Sequence, residues 1–344
     1  MQAARHSRGV SIKPYCVVIG GANMDLLGAP QGALKQHTSN PGKVSSSAGG
    51  VGRNIAENLV HLGQSCWLMA PIGDDANGKF LEQHCQQLGI QTEGMVKIAG
   101  ESTSTYLSII DETGEMLVAI ADMTLIDTFG TVQLQPFLPQ LEAASIVVLD
   151  ANLAPECLSF IIKNLPQQHF FVDTVSVAKA TRITPFLAHV HTLKPNLLEA
   201  QAIAGTDFGA NPSNAQLLQL AHWFTGQGVK HLYLSLGAKG LLYGDSEQCF
   251  IIGPIVAINE AINEAISVPI DVNPIINTNG AGDAMMAAIV DAWLQGCDAS
   301  SSSARALVCA QIAMASETTI NPQLTPHLLH RMLKEYSCHI TPLN

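Results

Sequence analysis

Short β-branched runs alternate along the chain with amphipathic helical stretches, the pattern of a parallel sheet with helices on both faces. Residues 15–20, 66–70, 145–150, 169–173, 191–194 and 231–236 are predicted strands. Between them the spacing predicts helices over 52–62 (Ile55, Leu59 and Leu62 on one face), 80–88, 156–164, 177–187 and 213–226. Three more, over 281–294, 300–316 and 326–336, follow toward the C-terminus. The alternation breaks twice. Residues 24–48 and 102–121 hold strand pairs with no helix between, and 111–114 reads as a hairpin turn joining 104–110 to 115–120. Chain that leaves an α/β sheet as strands and returns is expected to build a lid that closes over a substrate and excludes water. A lid face of Leu107, Ile109, Leu117 and Ala119 would invite pairing with a second copy, so a homodimer clasped through the lids is expected.

Composition narrows the class. A chain of 344 residues with 47% apolar and 13% charged residues suits one large α/β domain, here over 15–338, and is not disordered. Its net charge of −11 argues against a nucleic-acid surface, which needs dense Lys and Arg. Any phosphate site must therefore rely on backbone N–H groups, a metal ion and one or two lysines. Eight cysteines occur without a C-x-x-C pair or zinc spacing, which fits reduced thiols in a cytoplasmic protein. No run is long enough to span a membrane. Residues 1–14 carry Arg5, Arg8 and Lys13 with no apolar segment behind them, and read as a disordered tail.

The most informative run is Asn277-Thr278-Asn279-Gly280-Ala281-Gly282-Asp283, opening onto an apolar helix. Two glycines allow a sharp turn and close approach of backbone to a ligand, while the helix presents free N–H groups and its positive dipole end. That turn attracts phosphate. Asp283 then sets a carboxylate beside an anion site, which makes sense for a base taking the proton of a hydroxyl as it attacks phosphorus. A plain glycine turn with Asp283 as a helix cap is the alternative.

Four strands end in such turns. Gly20–Asp25 ends the first, at the carboxyl edge where open parallel sheets bind ligands, and places Asn23 and Asp25 either to hold vicinal hydroxyls or to stabilise the turn itself. Gly49, Gly50 and Gly52 lead into a helix whose first turn carries Asn54; Arg53 reads as a solvated helix residue. Asn196 and Glu199, three apart, suit a capping box and equally an outer-sphere magnesium site. Ser235, Gly237 and Gly240 read as a phosphate-proximal turn, or as a plain β-turn with Lys239 exposed. The tandem repeat within 257–266 is too short to be architectural and carries no assigned chemistry.

These residues together resemble the ribokinase-like (PfkB) carbohydrate kinase family over nearly the whole chain. Within it, Asn40–Lys43, Gly49–Leu59, Ser102–Tyr106, Thr113–Ala119 and Phe171–Ser176 most resemble the pseudouridine kinases. The resemblance implies a three-layer α/β/α fold with a mostly parallel central sheet and a small β-sheet lid. It further implies ATP- and Mg2+-dependent phosphorylation of the 5′-hydroxyl of pseudouridine, with a monovalent cation such as K+ as a further cofactor. Carried over by motif, Asp283 would be the base and Gly280, Ala281 and Gly282 the anion hole. Asn196 and Glu199 would organise the metal, and Ser235, Gly237, Gly240 and Thr278 would contact ATP. Asn23, Asp25, Gly49, Gly50 and Asn54 would hold the ribose, with Lys43, Thr103 and Tyr106 over sugar and base. Asp173 and Lys179 fall near the phosphate path or serve the structure. Asn277 departs from the family's frequent Asp, and the segment around 257–266 is longer than usual. Another sugar or nucleoside kinase of the family, a non-catalytic nucleoside sensor and a nucleotide-dependent oxidoreductase are the competing readings.

Overall fold

The computed structural model describes residues 14–259, 264–265 and 275–343. The expected tail, apart from Pro14, and residues 260–263 of the tandem repeat lie outside the described residues.

In chain order the strands are β1 (Cys16–Ile19), β2 (Asn23–Pro30), β3 (Gly42–Gly49), β4 (Cys66–Gly73), β5 (Met95–Ile98), β6 (Thr105–Ile110) and β7 (Met116–Asp122). They continue as β8 (Ile146–Asp150), β9 (Phe170–Asp173), β10 (Val190–Lys194), β11 (His231–Ser235), β12 (Leu241–Gly244) and β13 (Cys249–Ile252). Last come β14 (Val256–Asn259), β15 (Glu264–Ala265), β16 (Tyr336–Ser337) and β17 (Ile340–Pro342). The longer helices are α1 (Val51–His61), α2 (Ala76–Leu88), α3 (Pro155–Asn164), α4 (Leu197–Ala204), α5 (Asn214–Gly226), α6 (Ala281–Leu294), α7 (Ala299–Met314) and α8 (Pro326–Glu335).

A ten-stranded sheet in the order β17-β13-β12-β11-β10-β9-β8-β1-β4-β5 divides the protein. From β5 to β11 its neighbours are parallel, while β12, β13 and β17 add an antiparallel edge. Period-two alternation sends successive side chains to opposite faces, and the core follows that rule. Cys16 and Val18 of β1 pack with Ile55, Leu59 and Met286 from α1 and α6. Val17 and Ile19 pack with Leu158, Ala200 and Phe224 from α3, α4 and α5. The strands are apolar on both sides because helices cover both. This is the α/β/α arrangement expected.

The two helix-free regions form a separate four-stranded sheet, β3-β2-β6-β7. Its register corrects the expected apolar face. Leu107 pairs with Ile120 and Ile109 with Val118, so these four share one side with Leu26, while Ala119 pairs with Ser108 on the other. The strands join odd positions of β6 to even positions of β7, and Leu117 falls at the register shift beside Ile110. Further differences have simple causes. The helix expected over 177–187 is one α turn, Val177–Ala180, followed by a 3-10 stretch, Thr181–His189, which contains Pro185 and β-branched neighbours. The edge strands β12, β13 and β17, and β5 beside β4, were not predicted, since runs this short give little periodicity.

Gly52 lies within α1 where that helix crosses the end of β1. A Cβ there would stand 2.9 Å from the Gly20 backbone and 3.1 Å from Gly21 N. Helix propensity alone favours alanine by about 1 kcal/mol, yet Gly52→Ala is expected to destabilise the protein by about 1–3 kcal/mol through overpacking. Urea unfolding checks this, and a higher midpoint would show that the contact yields.

Candidate active site

Strand order reverses between β1 and β8: the chain runs outward through β4 and β5 on one side and through β8 to β11 on the other. At such a switch point the carboxyl ends of the strands splay and leave a crevice. Here the strands β8, β9 and β10 close on Asp150, Asp173 and Lys194, which are neighbours in register. All three are buried. Asp150 is taken up locally, accepting from Gly21 N at 2.8 Å and from Asn152 N at 3.0 Å. Burial lifts its pKa to about 6 against these bonds. Asp173 accepts from Val175 N and forms an ion pair with Lys194 Nζ at 3.0 Å. Burial disfavours the Lys194 ammonium, but Asp173, Glu199 and Asp283 outweigh it and hold its pKa above the usual value.

The mouth of α6 opens onto the same crevice. Gly280 caps the helix at φ 83°, a left-handed conformation, and a Cβ there would meet Thr319 O at 2.0 Å. Asn277 Oδ1 accepts from Asn279 N at 2.9 Å, a turn that Asn builds as well as Asp. Asp283 sits in the first helical turn, 8% exposed, and its Oδ2 accepts from Asn54 Nδ2 at 2.7 Å. Burial raises its pKa to about 8; Asp173 and Asp150 push the same way, while Asn54 and Lys194 oppose.

Asn54 is itself fixed. The Arg53 guanidinium donates to Asn54 Oδ1, to Gly49 O and to Glu57 Oε2. With the amide oxygen engaged by a cation, only the amide N–H2 can face Asp283. Arg53 is 1% exposed, so its expected place as a solvated helix residue is wrong. Its charge goes inward because Glu57, one turn along, supplies the partner a buried cation needs.

Across the crevice, Asn196 and Glu199 form the expected capping box: Asn196 Oδ1 accepts from Glu199 N, and Glu199 Oε2 accepts from Asn196 N, each at 2.9 Å. Thr174 Oγ1 adds a bond to Glu199 Oε2 at 2.6 Å. Asn23 donates to Asp25 Oδ1 at 2.6 Å.

These elements enclose a cavity of about 850 Å³ lined by Asn23, Asp25, Gly50, Asn54 and Tyr106 on one side. Asn196, Glu199, Ser235, Thr278, Gly280, Gly282 and Asp283 line the other. Several expected site residues lie elsewhere. Thr103 is buried beneath the small sheet, where its hydroxyl binds Asp75 and Gly73 rather than facing the cavity. Lys43, paired with Ala29, is exposed at the far end of the small sheet. Gly49 makes room for the Asp25 carboxylate, which would lie 2.4 Å from a Cβ there. Gly240 serves a tight turn, its Cβ position 2.1 Å from Ile252 O, and Gly237 and Ala281 are not among the lining residues. Lys179 donates to Asn152 Oδ1 at 2.6 Å and is not itself among the lining residues. The lining also includes Asn152, Asp173, Lys194, Glu317 and Thr319. Asp173 was already expected near the phosphate path or in a structural role; for Lys194 the available signal was a charged residue closing an otherwise uncharged strand.

A family model for the pfkB carbohydrate kinases matches residues 13–326. The chain belongs to that family. It is therefore a phosphotransferase with an alcohol acceptor. It is 38% identical over 313 residues to the pseudouridine kinase of Escherichia coli (strain K12), covering 91% of this chain and 94% of that protein. It is 34% identical to an uncharacterized sugar kinase, YeiI, of the same organism, covering 90% and 81% respectively. In fold it is similar to Arabidopsis thaliana ribokinase solved with ribose and ATP, at a TM-score of 0.78 and 19% identity, covering 94% of this chain and 99% of that one.

Because folding raises the pKa of Asp283, the native state holds this proton more tightly than the unfolded chain. The resulting stability is full below the ordinary carboxylate range and is lost as pH rises through about 8. Asp283→Asn is therefore expected to raise Tm over the parent protein, by more at pH 8.5 than at pH 4.5. Equal gains at both pH values would contradict the assigned burial cost.

Proposed function

We propose that the protein transfers the γ-phosphoryl group of ATP to the 5′-hydroxyl of pseudouridine, forming pseudouridine 5′-phosphate. The observation that carries this reading is the Asp283 carboxylate, held by Asn54 beside the glycine-capped mouth of α6 in a cavity large enough for two ligands. Likeness to the Escherichia coli pseudouridine kinase at 38% identity supports the choice of acceptor.

In the proposed reaction Asp283 accepts the proton of the 5′-hydroxyl as its oxygen bonds to the γ-phosphorus. The bond from that phosphorus to the β–γ bridging oxygen breaks, and ADP leaves with the electron pair. N–H groups of Gly280, Ala281 and Gly282 face the charge that develops on the phosphoryl oxygens. Ser235 and Thr278 flank the donor half. Among the described residues no three His, Cys, Asp or Glu converge as a metal-ligand set, and both Glu199 oxygens already accept bonds. That donor set fits magnesium, which keeps its waters and takes few protein ligands. Asn196 and Glu199 would hold the ion through its waters, and the ion would offset phosphate charge.

Asp25, its carboxylate steadied by Asn23, suits the ribose 2′- and 3′-hydroxyls. The cavity side of the small sheet offers Tyr106 and Ser108, neutral groups able to read the ring donors and acceptors of the base. We take this sheet to be a lid, and its other face, with Leu26, Leu107, Ile109, Val118 and Ile120, to pair with a second copy.

Pseudouridine carries one ring N–H more than uridine, and a site bonding that donor can discriminate by up to about 10⁴-fold. A panel of pseudouridine, uridine, ribose and adenosine with ATP should give pseudouridine the highest kcat/KM. Faster phosphorylation of ribose or adenosine would refute the acceptor and leave the kinase class. Asp283→Asn should lower kcat by about 10²- to 10⁴-fold with ATP binding retained, as calorimetry would register; retained turnover would remove Asp283 as the base. Light scattering should return a dimer mass, and a monomer at assay concentration would end the pairing proposal.

A further inference from the structure

Among the described residues that line the cavity, Lys194 is the one basic side chain, set against Asp25, Asp173, Glu199, Asp283 and Glu317. A crevice so acidic must still admit a triphosphate. Lys194 ends a strand whose preceding side chains are apolar or neutral, and Pro195 follows it with a fixed φ. Its Nζ stands 3.0 Å from Asp173 Oδ2 and 3.0 Å from the point a Cβ on Gly282 would occupy. The absence of a side chain at Gly282 is thus what lets the ammonium reach the mouth of α6. The ammonium pairs with Asp173, and Lys194 is among the residues that line the cavity; an ammonium has three donors to offer.

We propose that Lys194 is a catalytic residue whose ammonium contacts an oxygen of the migrating γ-phosphoryl group, alongside the N–H groups at the mouth of α6. This rests on the phosphoryl-transfer reading above. Lys194 forms and breaks no covalent bond; the proton still passes to Asp283 and the electron pair still leaves with ADP. Its part is to meet negative charge where the helix dipole alone is opposed by four or more carboxylates. Asp173, paired to it in register, keeps the ammonium aimed rather than free to swing toward Glu199.

Lys194→Met is the test, with calorimetric binding of ADP and of the imido analogue of ATP to the parent and variant proteins, and with kcat. The expected result is a loss confined to the γ-phosphate: affinity for the imido analogue falls at least 10-fold while that for ADP changes less than 3-fold, on the scale of one charged hydrogen bond. In the same variant kcat falls on the order of 10²- to 10³-fold. Equal weakening of both nucleotides, or a kcat within a few-fold of the parent, overturns the contact. Should the single variant fail to fold because Asp173 is stranded, Asp173→Asn with Lys194→Met removes both charges together and carries the same comparison. A parent protein that binds neither nucleotide would instead refute the kinase reading itself.

Discussion

A carboxylate that is buried and must still carry charge sets the terms for this crevice. Water would stabilise the Asp283 anion; at 8% exposure the protein has to supply what water would. It does so with one hydrogen bond from Asn54, one nearby ammonium and the mouth of a helix. The supply is deliberately incomplete in effect: the pKa stays near 8, so the group keeps an affinity for a proton that a surface aspartate lacks. For the proposed general base, a pKa near the working pH would combine sufficient ionisation with a real drive to take the proton. Fuller neutralisation would leave a weaker base, and less would leave a permanent acid.

Holding that balance requires backbone to come closer than side chains permit. The αL conformation at Gly280 puts the first N–H groups of α6 at the crevice while Thr319 O packs beneath. Gly50, at φ 97°, brings the start of α1 against Gly21 O, which in turn delivers Asn54 to Asp283 from 229 positions away. The Arg53–Glu57 pair then fixes the amide. Breaking a buried ion pair of this kind costs about 3–5 kcal/mol, so the orientation of one amide is tied to the stability of α1. Helix α1 and the Asp283 carboxylate are thus coupled through the side chains of Glu57, Arg53 and Asn54.

Much of this was legible in the chain. Glycines at the ends of apolar runs marked the turns, and the seven residues from Asn277 to Asp283 marked the helix mouth, because both patterns are local. What was not legible is partnership across the sheet. Nothing in the run Gly49–Leu59 says that Arg53 turns inward, since a charged residue on a first helical turn is ordinarily solvated. Its partners Gly49 O and Glu57 lie four residues to either side on the same segment; what the run does not announce is that the fold turns this face of α1 into the core. Thr103 failed as an acceptor contact for a similar reason: its hydroxyl is engaged by Asp75, the N-cap of α2, a pairing no local pattern announces. The parity of the β6–β7 pairing escaped too, because a one-residue offset reverses which face each side chain takes.

The two halves of the crevice differ in how firmly they are built. Asn54, Asp283 and Lys194 stand on elements inside the main core, where neighbouring side chains have no exposed surface. The small sheet contributes Met24 to that core, with Ala48 packed against it, while every residue of β7 is exposed. Local opening costs least where few apolar contacts must be broken. Local opening is therefore cheap at the small sheet and expensive around Asp283. Residues such as Tyr106 and Ser108 face the cavity from the yielding sheet and can be exchanged without disturbing the Arg53–Asn54–Asp283 chain. On the proposed reading, phosphoryl transfer stays with the firmly packed part and recognition with the sparsely packed one, so that a single scaffold could keep its chemistry while its acceptor differs.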